Sequence, residues 1–217
     1  MKTDSETRRD VEAELRWSPD VDQTDIAVKV NGGVVTLTGY VRNYADKHRA
    51  EAAVKRVAGV NAVANDLAVR LPLAGMPTDP EIARGAVAAL KRDLPQVAED
   101  IQAIVHEGHV GLEGTVEWHY QRERAEHAVL GVLGVISVRN SIRLKPRPAS
   151  AEIKRQIEQA FQRSAAVDAQ RIAVETRGSE VTLRGEVRSW SECDEALRTA
   201  WSAPGVINVR NELTVHT

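Results

Sequence analysis

The chain has 217 residues, 29 Lys and Arg against 31 Asp and Glu, a single cysteine and a formal net charge of −2. One cysteine excludes a disulfide framework and a Cys-rich zinc site, and no apolar run reaches the ~20 residues that span a membrane. Aromatic residues make up only 4%, so the core has to be built from Val, Leu, Ile and Ala.

In chain order, the opening residues MKTDSETRRDVEAEL carry no apolar core of a signal peptide. The expectation is therefore a cytoplasmic chain, or a periplasmic one if the true start lies upstream of Met1. Val11 and Leu15 then mark a first, short helix. Ile26, Val28 and Val30 alternate as a strand, Asn31-Gly32-Gly33 turns, and Val35-Thr-Leu-Thr-Gly39-Tyr-Val41 alternates again. Two alternating runs across a short glycine turn predict a β-hairpin. Ala50, Ala53, Val54 and Val57 form the small-residue stripe of a second helix. Gly59-Val60 ends it, and Val63, Asn65, Leu67 and Val69 form a third strand.

The same series recurs twice. Val110 to Val116 and Val181 to Val187 repeat the second strand around Gly114 and Gly185, as around Gly39. Gly134-Val135 and Gly205-Val206 repeat Gly59-Val60, and Asn140 and Asn211 repeat Asn65. Recurrence at fixed spacing predicts three modules, at 3–71, 79–146 and 149–217. Proline-bearing linkers join them, Leu71 to Pro80 and Leu144 to Ser150. Asp79-Pro80 is predicted to cap the first helix of the second copy, with Ile82, Val87, Leu90 and Leu94 as its apolar residues. Ile153, Ile157, Ala160 and Phe161 mark one helical face in the third. The expected class is α+β: three tandem α-β-β-α-β modules, each a three-stranded sheet with two helices on one face. The glycine in the apolar register of strand two predicts a bulge or a close helix.

This order, with its Val-x-Leu-x-Gly-x-Val strand, alanine-bearing helix and Gly-Val…Val-x-Asn closing strand, resembles the BON domain family over nearly the whole chain. The resemblance implies a non-catalytic binding protein without cofactors, associated with phospholipid surfaces, envelope maintenance and the response to osmotic stress. Chaperone-like and ion-sensing behaviour also occur in that family. Three functional readings follow. The first is a phospholipid or membrane-surface binder. The second is a cytoplasmic protein-interaction or self-assembly scaffold. The third is an ion or small-ligand sensor.

Candidate site residues are few. Tyr44, Trp118, His119, Tyr120 and Trp190 fall between the second strand and second helix of their copies. Amphipathic rings there suit a lipid interface, a protein partner or a contact between modules. Arg122 and Arg124 supply the nearest basic patch, diluted by Glu123 and Glu126. Asn65, Asn140 and Asn211 stand on apolar strand faces, where an amide must be hydrogen-bonded, and are read as structural rather than ligand-contacting.

His106, His109, His119 and His127 cluster in the second copy, with His48 and His216 apart. The chain path separates the cluster, so they are read as solvated side chains and no metal site is expected. Cys193 has no second cysteine to resolve it and no neighbouring histidine, and no catalytic role is expected for it. No P-loop, nucleophile elbow or H-E-x-x-H motif is present, and an enzyme is disfavoured. The modules are near-balanced in charge, which disfavours nucleic acid. No obvious cleft is expected.

Overall fold

The computed structural model describes residues 2–70, 76–145 and 152–215. Each module follows one path. Helix α1 (Asp4–Trp17) leads into strands β1 (Ile26–Asn31) and β2 (Val34–Val41), helix α2 (Tyr44–Lys55) and strand β3 (Ala62–Val69). The second module runs α3 (Asp79–Asp93), β4 (Ile101–His106), β5 (His109–Val116), α4 (His119–Leu130), β6 (Ser137–Asn140) and β7 (Arg143–Leu144). The third runs α5 (Ile153–Arg163), β8 (Ile172–Arg177), β9 (Glu180–Val187), α6 (Trp190–Trp201) and β10 (Asn208–Val215). In every module the hairpin is antiparallel, and the strand after the second helix returns parallel to the hairpin's second strand. The sheets are separate, ordered β1-β2-β3, β4-β5-β6 (with β7 also on β5) and β8-β9-β10. Residues 2–144 form one compact unit and 145–217 another.

The first helices begin through their caps. Thr3 and Glu6 form a reciprocal capping box, with Thr3 N–H donating to Glu6 Oε2 at 2.9 Å and Glu6 N–H to Thr3 Oγ1 at 3.3 Å. In the second module the cap is Thr78, whose N–H and hydroxyl both donate to Glu81. The expectation that Asp79 caps this helix is corrected. The Asp79 carboxylate instead accepts from Glu107 N–H at 2.8 Å and Gly108 N–H at 3.0 Å in the hairpin turn. Asp4 grips Gly32 N–H and Gly33 N–H in the same way. These grips stabilise turns that need positive φ at both central residues, Gly32 and Gly33 in one and Glu107 and Gly108 in the other. Two further details differ from the sequence reading. Helix α1, expected to be short, has 14 residues against 11 for α5. Val87 points outward, and Ala86 and Ala89 take its place in the core.

The recurring markers have distinct causes. At Gly39, Gly114 and Gly185, φ is +123°, +138° and +134°. A Cβ there would stand 1.9–2.1 Å from the carbonyl oxygen of Asp25, Asp100 or Arg171. The close neighbour is thus the backbone entering the first strand, not a helix. Gly59, Gly134 and Gly205 lie beyond the helix ends. Each is the third residue of a hydrogen-bonded turn, such as Val60 N–H to Val57 O, with φ between +91° and +94°. That is a type II turn, so the glycine serves the turn rather than the helix cap.

Candidate functional site

The third strand of each sheet is an edge strand, and its outward-facing backbone groups need partners. Along the edge of module two, Ser141 N–H donates inward to Leu112 O. The next N–H, on Ile142, is taken by the Asn140 side chain at 3.2 Å. The Asn140 amide then donates to Arg122 O at 2.8 Å and Glu126 Oε2 at 3.1 Å on α4. Asn65 repeats this with Leu67 N–H, Lys47 O and Glu51. In module three, Asn211 takes Leu213 N–H and donates to Cys193 Sγ at 3.4 Å. The asparagines therefore tie helix to edge strand. Cys193 is buried beneath this bridge.

Modules one and two enclose a groove of about 650 Å³, which overturns the expectation that no cleft exists. One wall is α2, through Ala45, His48, Arg49 and Ala52. The other is α3 and the end of α4, with Gly85, Ala88, Ala89, Ala128 and Leu130 among its apolar lining. Gly85 leaves room for Val132, whose Cγ1 would lie 2.9 Å from a Cβ at that position. The groove brings His48 and His127 together, although the sequence places them far apart. Its two arginines are each paired, Arg49 with Asp46 and Arg92 with Asp93, both at 2.8 Å. The groove is open to solvent, with Leu133 at its lip 64% exposed. Its volume lies in the range of ligand sites.

The aromatic candidates do not share one position. Tyr44, His119 and Trp190 are the first residues of their helices, and Trp118 is an N-cap like Asn43 and Ser189. They are helix starts rather than loop residues. Tyr44 packs against the core of module two, and Trp190 packs against the core of its own module. Trp118 is half-buried. Tyr120 stands free of the core at 56% exposure. On α4, Tyr120, Arg124 and His127 fall at i, i+4 and i+7, one helical face. His127 carries that face into the groove. Arg122 is half-buried, and burial holds its pKa below the usual arginine value. Sequence reasoning passed over Trp17, which is 83% exposed at the end of α1. Its signal was its place off the Val11–Leu15 stripe.

The histidines behave individually. His106 and His109 face each other across the hairpin, and His109 Nδ1 lies 2.6 Å from Ser137 Oγ. His119 is a mostly buried side chain, 10% exposed. Burial, aided by the Arg122 charge, pulls its pKa from the ordinary 6.5 to about 4. Between those values the unfolded chain binds the proton and the folded chain does not. Acidification through that window therefore favours unfolding. The contribution is intact above pH ~6.5 and lost below pH ~4. We expect the wild type to lose about 2–3 kcal/mol more than His119→Gln between pH 7 and pH 4 in urea unfolding. Equal losses in the two proteins would remove this account. Glu123 Oε1 lies 3.4 Å from His119 Nε2. His216 lies outside the described residues. Among the described residues no three His, Cys, Asp or Glu side chains gather in metal-binding geometry, and no helix is long and apolar enough to cross a membrane.

Three copies of one hairpin-and-crossover unit, each with its own helix-covered sheet, define a tandem-module α+β protein. The chain belongs to the BON domain family, whose model matches residues 3–70, 78–146 and 149–217. It is similar to osmotically-inducible protein Y of Escherichia coli (strain K12), at 34% identity over 148 residues, 65% of this chain and 73% of that protein. Two solved structures of CdsD, a structural protein of the type III secretion system of Chlamydia trachomatis, also match, one of them its C-terminal domain. They share 16% and 15% identity, cover 96% of this chain and 91% and 96% of their own, and superpose with a TM-score of 0.27. A superposition that low carries no functional argument.

Proposed function

We propose that this protein acts without catalysis, by associating with anionic phospholipid surfaces in a stress response. The observation that carries the reading is the groove between modules one and two. Its lining joins alanine, glycine, valine and leucine to His48, His127 and two ion-paired arginines, Arg49 with Asp46 and Arg92 with Asp93, and the same α4 face continues to Arg124 and the exposed ring of Tyr120. An apolar strip bordered by polar side chains and an amphipathic ring suits the headgroup boundary of a membrane. Membership of the BON family and likeness to an osmotically inducible protein support the stress context. With a net charge of −2, attraction to anionic lipid has to be local rather than global.

Co-sedimentation with vesicles tests this. We expect binding to phosphatidylglycerol-containing vesicles at low salt and little to phosphatidylcholine alone. The double variant Tyr120→Ala/Leu133→Glu should weaken binding at least tenfold, since it removes the ring and places a charge at the apolar lip. No sedimentation of the wild type with anionic vesicles overturns the reading. A protein-interaction scaffold is the second reading, favoured by Trp17, since large exposed rings are common anchors of protein interfaces. Self-association in light scattering, or retention of a protein partner in a pull-down, that Trp17→Ala abolishes would select it.

A further inference from the structure

We propose that Tyr44 is a latch that joins modules one and two by closing the open edge of the second module's sheet. Strand β6 is the edge of that sheet, and its N–H groups alternate between the sheet and the outside. Ser141 points inward to Leu112 O, so Ile142, Asn140 and Val138 belong to the outward set. Asn140 covers the Ile142 amide from within its own module. The Tyr44 hydroxyl, from the first residue of α2 in the preceding module, instead approaches the Val138 backbone N–H. The Tyr44 ring packs against the core of module two. The ring also meets the His48 ring edge-on, with centroids 4.9 Å apart and planes at 77°. Among the described apolar residues, it is the one from module one seated on that core.

The device is particular to this joint. The positions equivalent to Tyr44 are His119 and Trp190, and neither ring has a hydroxyl oxygen to accept an edge amide. The small residues Ala45 and Ala52, which let α2 line the groove, are replaced by Tyr120 and His127 on α4. Away from Tyr44 the two modules face each other across the groove. One side chain thus covers a backbone edge that would otherwise be available for strand addition. It also fixes the spacing of the groove walls. This inference does not depend on what the groove binds.

Amide hydrogen exchange by NMR on the full chain tests the latch. In Tyr44→Ala, exchange at Val138 should accelerate at least tenfold, while the inward-facing Ser141 amide keeps its rate. In Tyr44→Phe, which retains the ring and loses the acceptor, Val138 should accelerate by a smaller factor. Small-angle scattering should show a larger radius of gyration for Tyr44→Ala than for the wild type. Unchanged Val138 exchange in either folded variant overturns the proposal. So does equal acceleration at Ser141, because that would report loss of the strand rather than exposure of its edge. If Tyr44→Ala does not fold, Tyr44→Phe alone decides, by the ratio of Val138 to Ser141 exchange.

Discussion

Gly39→Ala should lower the stability of the first module by at least ~3 kcal/mol. Two effects add. At φ +123° an L-residue sits in a region that only glycine occupies readily. A Cβ there would also lie 1.9 Å from Asp25 O and 3.0 Å from its carbon. Those atoms are backbone, so no rotamer change relieves the overlap. Tyr40 N–H donates to that same carbonyl at 3.1 Å, and moving the carbonyl away breaks the hydrogen bond as well. Gly114→Ala and Gly185→Ala should behave alike, since their neighbours are the equivalent carbonyls at 2.1 and 1.9 Å. Gly131→Ala is the control. Its φ is −88°, nothing lies within 4 Å of a Cβ there, and its effect should stay within ~0.5 kcal/mol. Urea denaturation followed by circular dichroism reads both. Similar midpoints for Gly39→Ala and Gly131→Ala would show that backbone approach is not why the marker recurs.

Phe161→Ala should cost about 3–5 kcal/mol and leave the third module unfolded at room temperature. Phe161 is the chain's single phenylalanine, is 1% exposed, and lies in one cluster with Ile153, Ile157, Val174, Leu183 and Ala200. Helix α5 has only 11 residues and is held by the stripe Ile153, Ile157 and Phe161, so truncating the largest member removes much of its attachment. A module of this size keeps little stability in reserve. The readouts are tryptophan fluorescence, because Trp190 and Trp201 pack on the same cluster, and calorimetry of the full chain. Phe161→Leu, which keeps most of the volume, should lose under ~2 kcal/mol. A Phe161→Ala protein with an unaltered calorimetric profile would mean that α5 is dispensable to the module.

The repeated strand and its glycine were legible because a backbone that crowds a neighbour leaves one residue type at that position. The asparagine's need for hydrogen-bond partners was legible because an amide on an apolar strand face has to find them. Which partners those are, the carbonyl of Lys47 or Arg122 and an edge amide, depends on how the helix crosses the sheet. The capping error at Asp79 has a local cause: Thr78 and Asp79 are both capping residues in sequence, and only the approach of the hairpin turn decides between them. Tyr44 illustrates the limit more sharply. Its position beside the second helix was visible, but its partner in another module was not.

Composition, periodicity and recurrence by themselves determined three α-β-β-α-β units and most of the residues of their cores, because helix and strand periods and turn chemistry act over a few residues. Only the tertiary structure decided that α2 faces α3 and α4 across a groove, that His48 and His127 both line it, and that one tyrosine of module one packs on the core of module two. Those relations join residues far apart in the chain, and no local pattern encodes the docking of one finished surface on another.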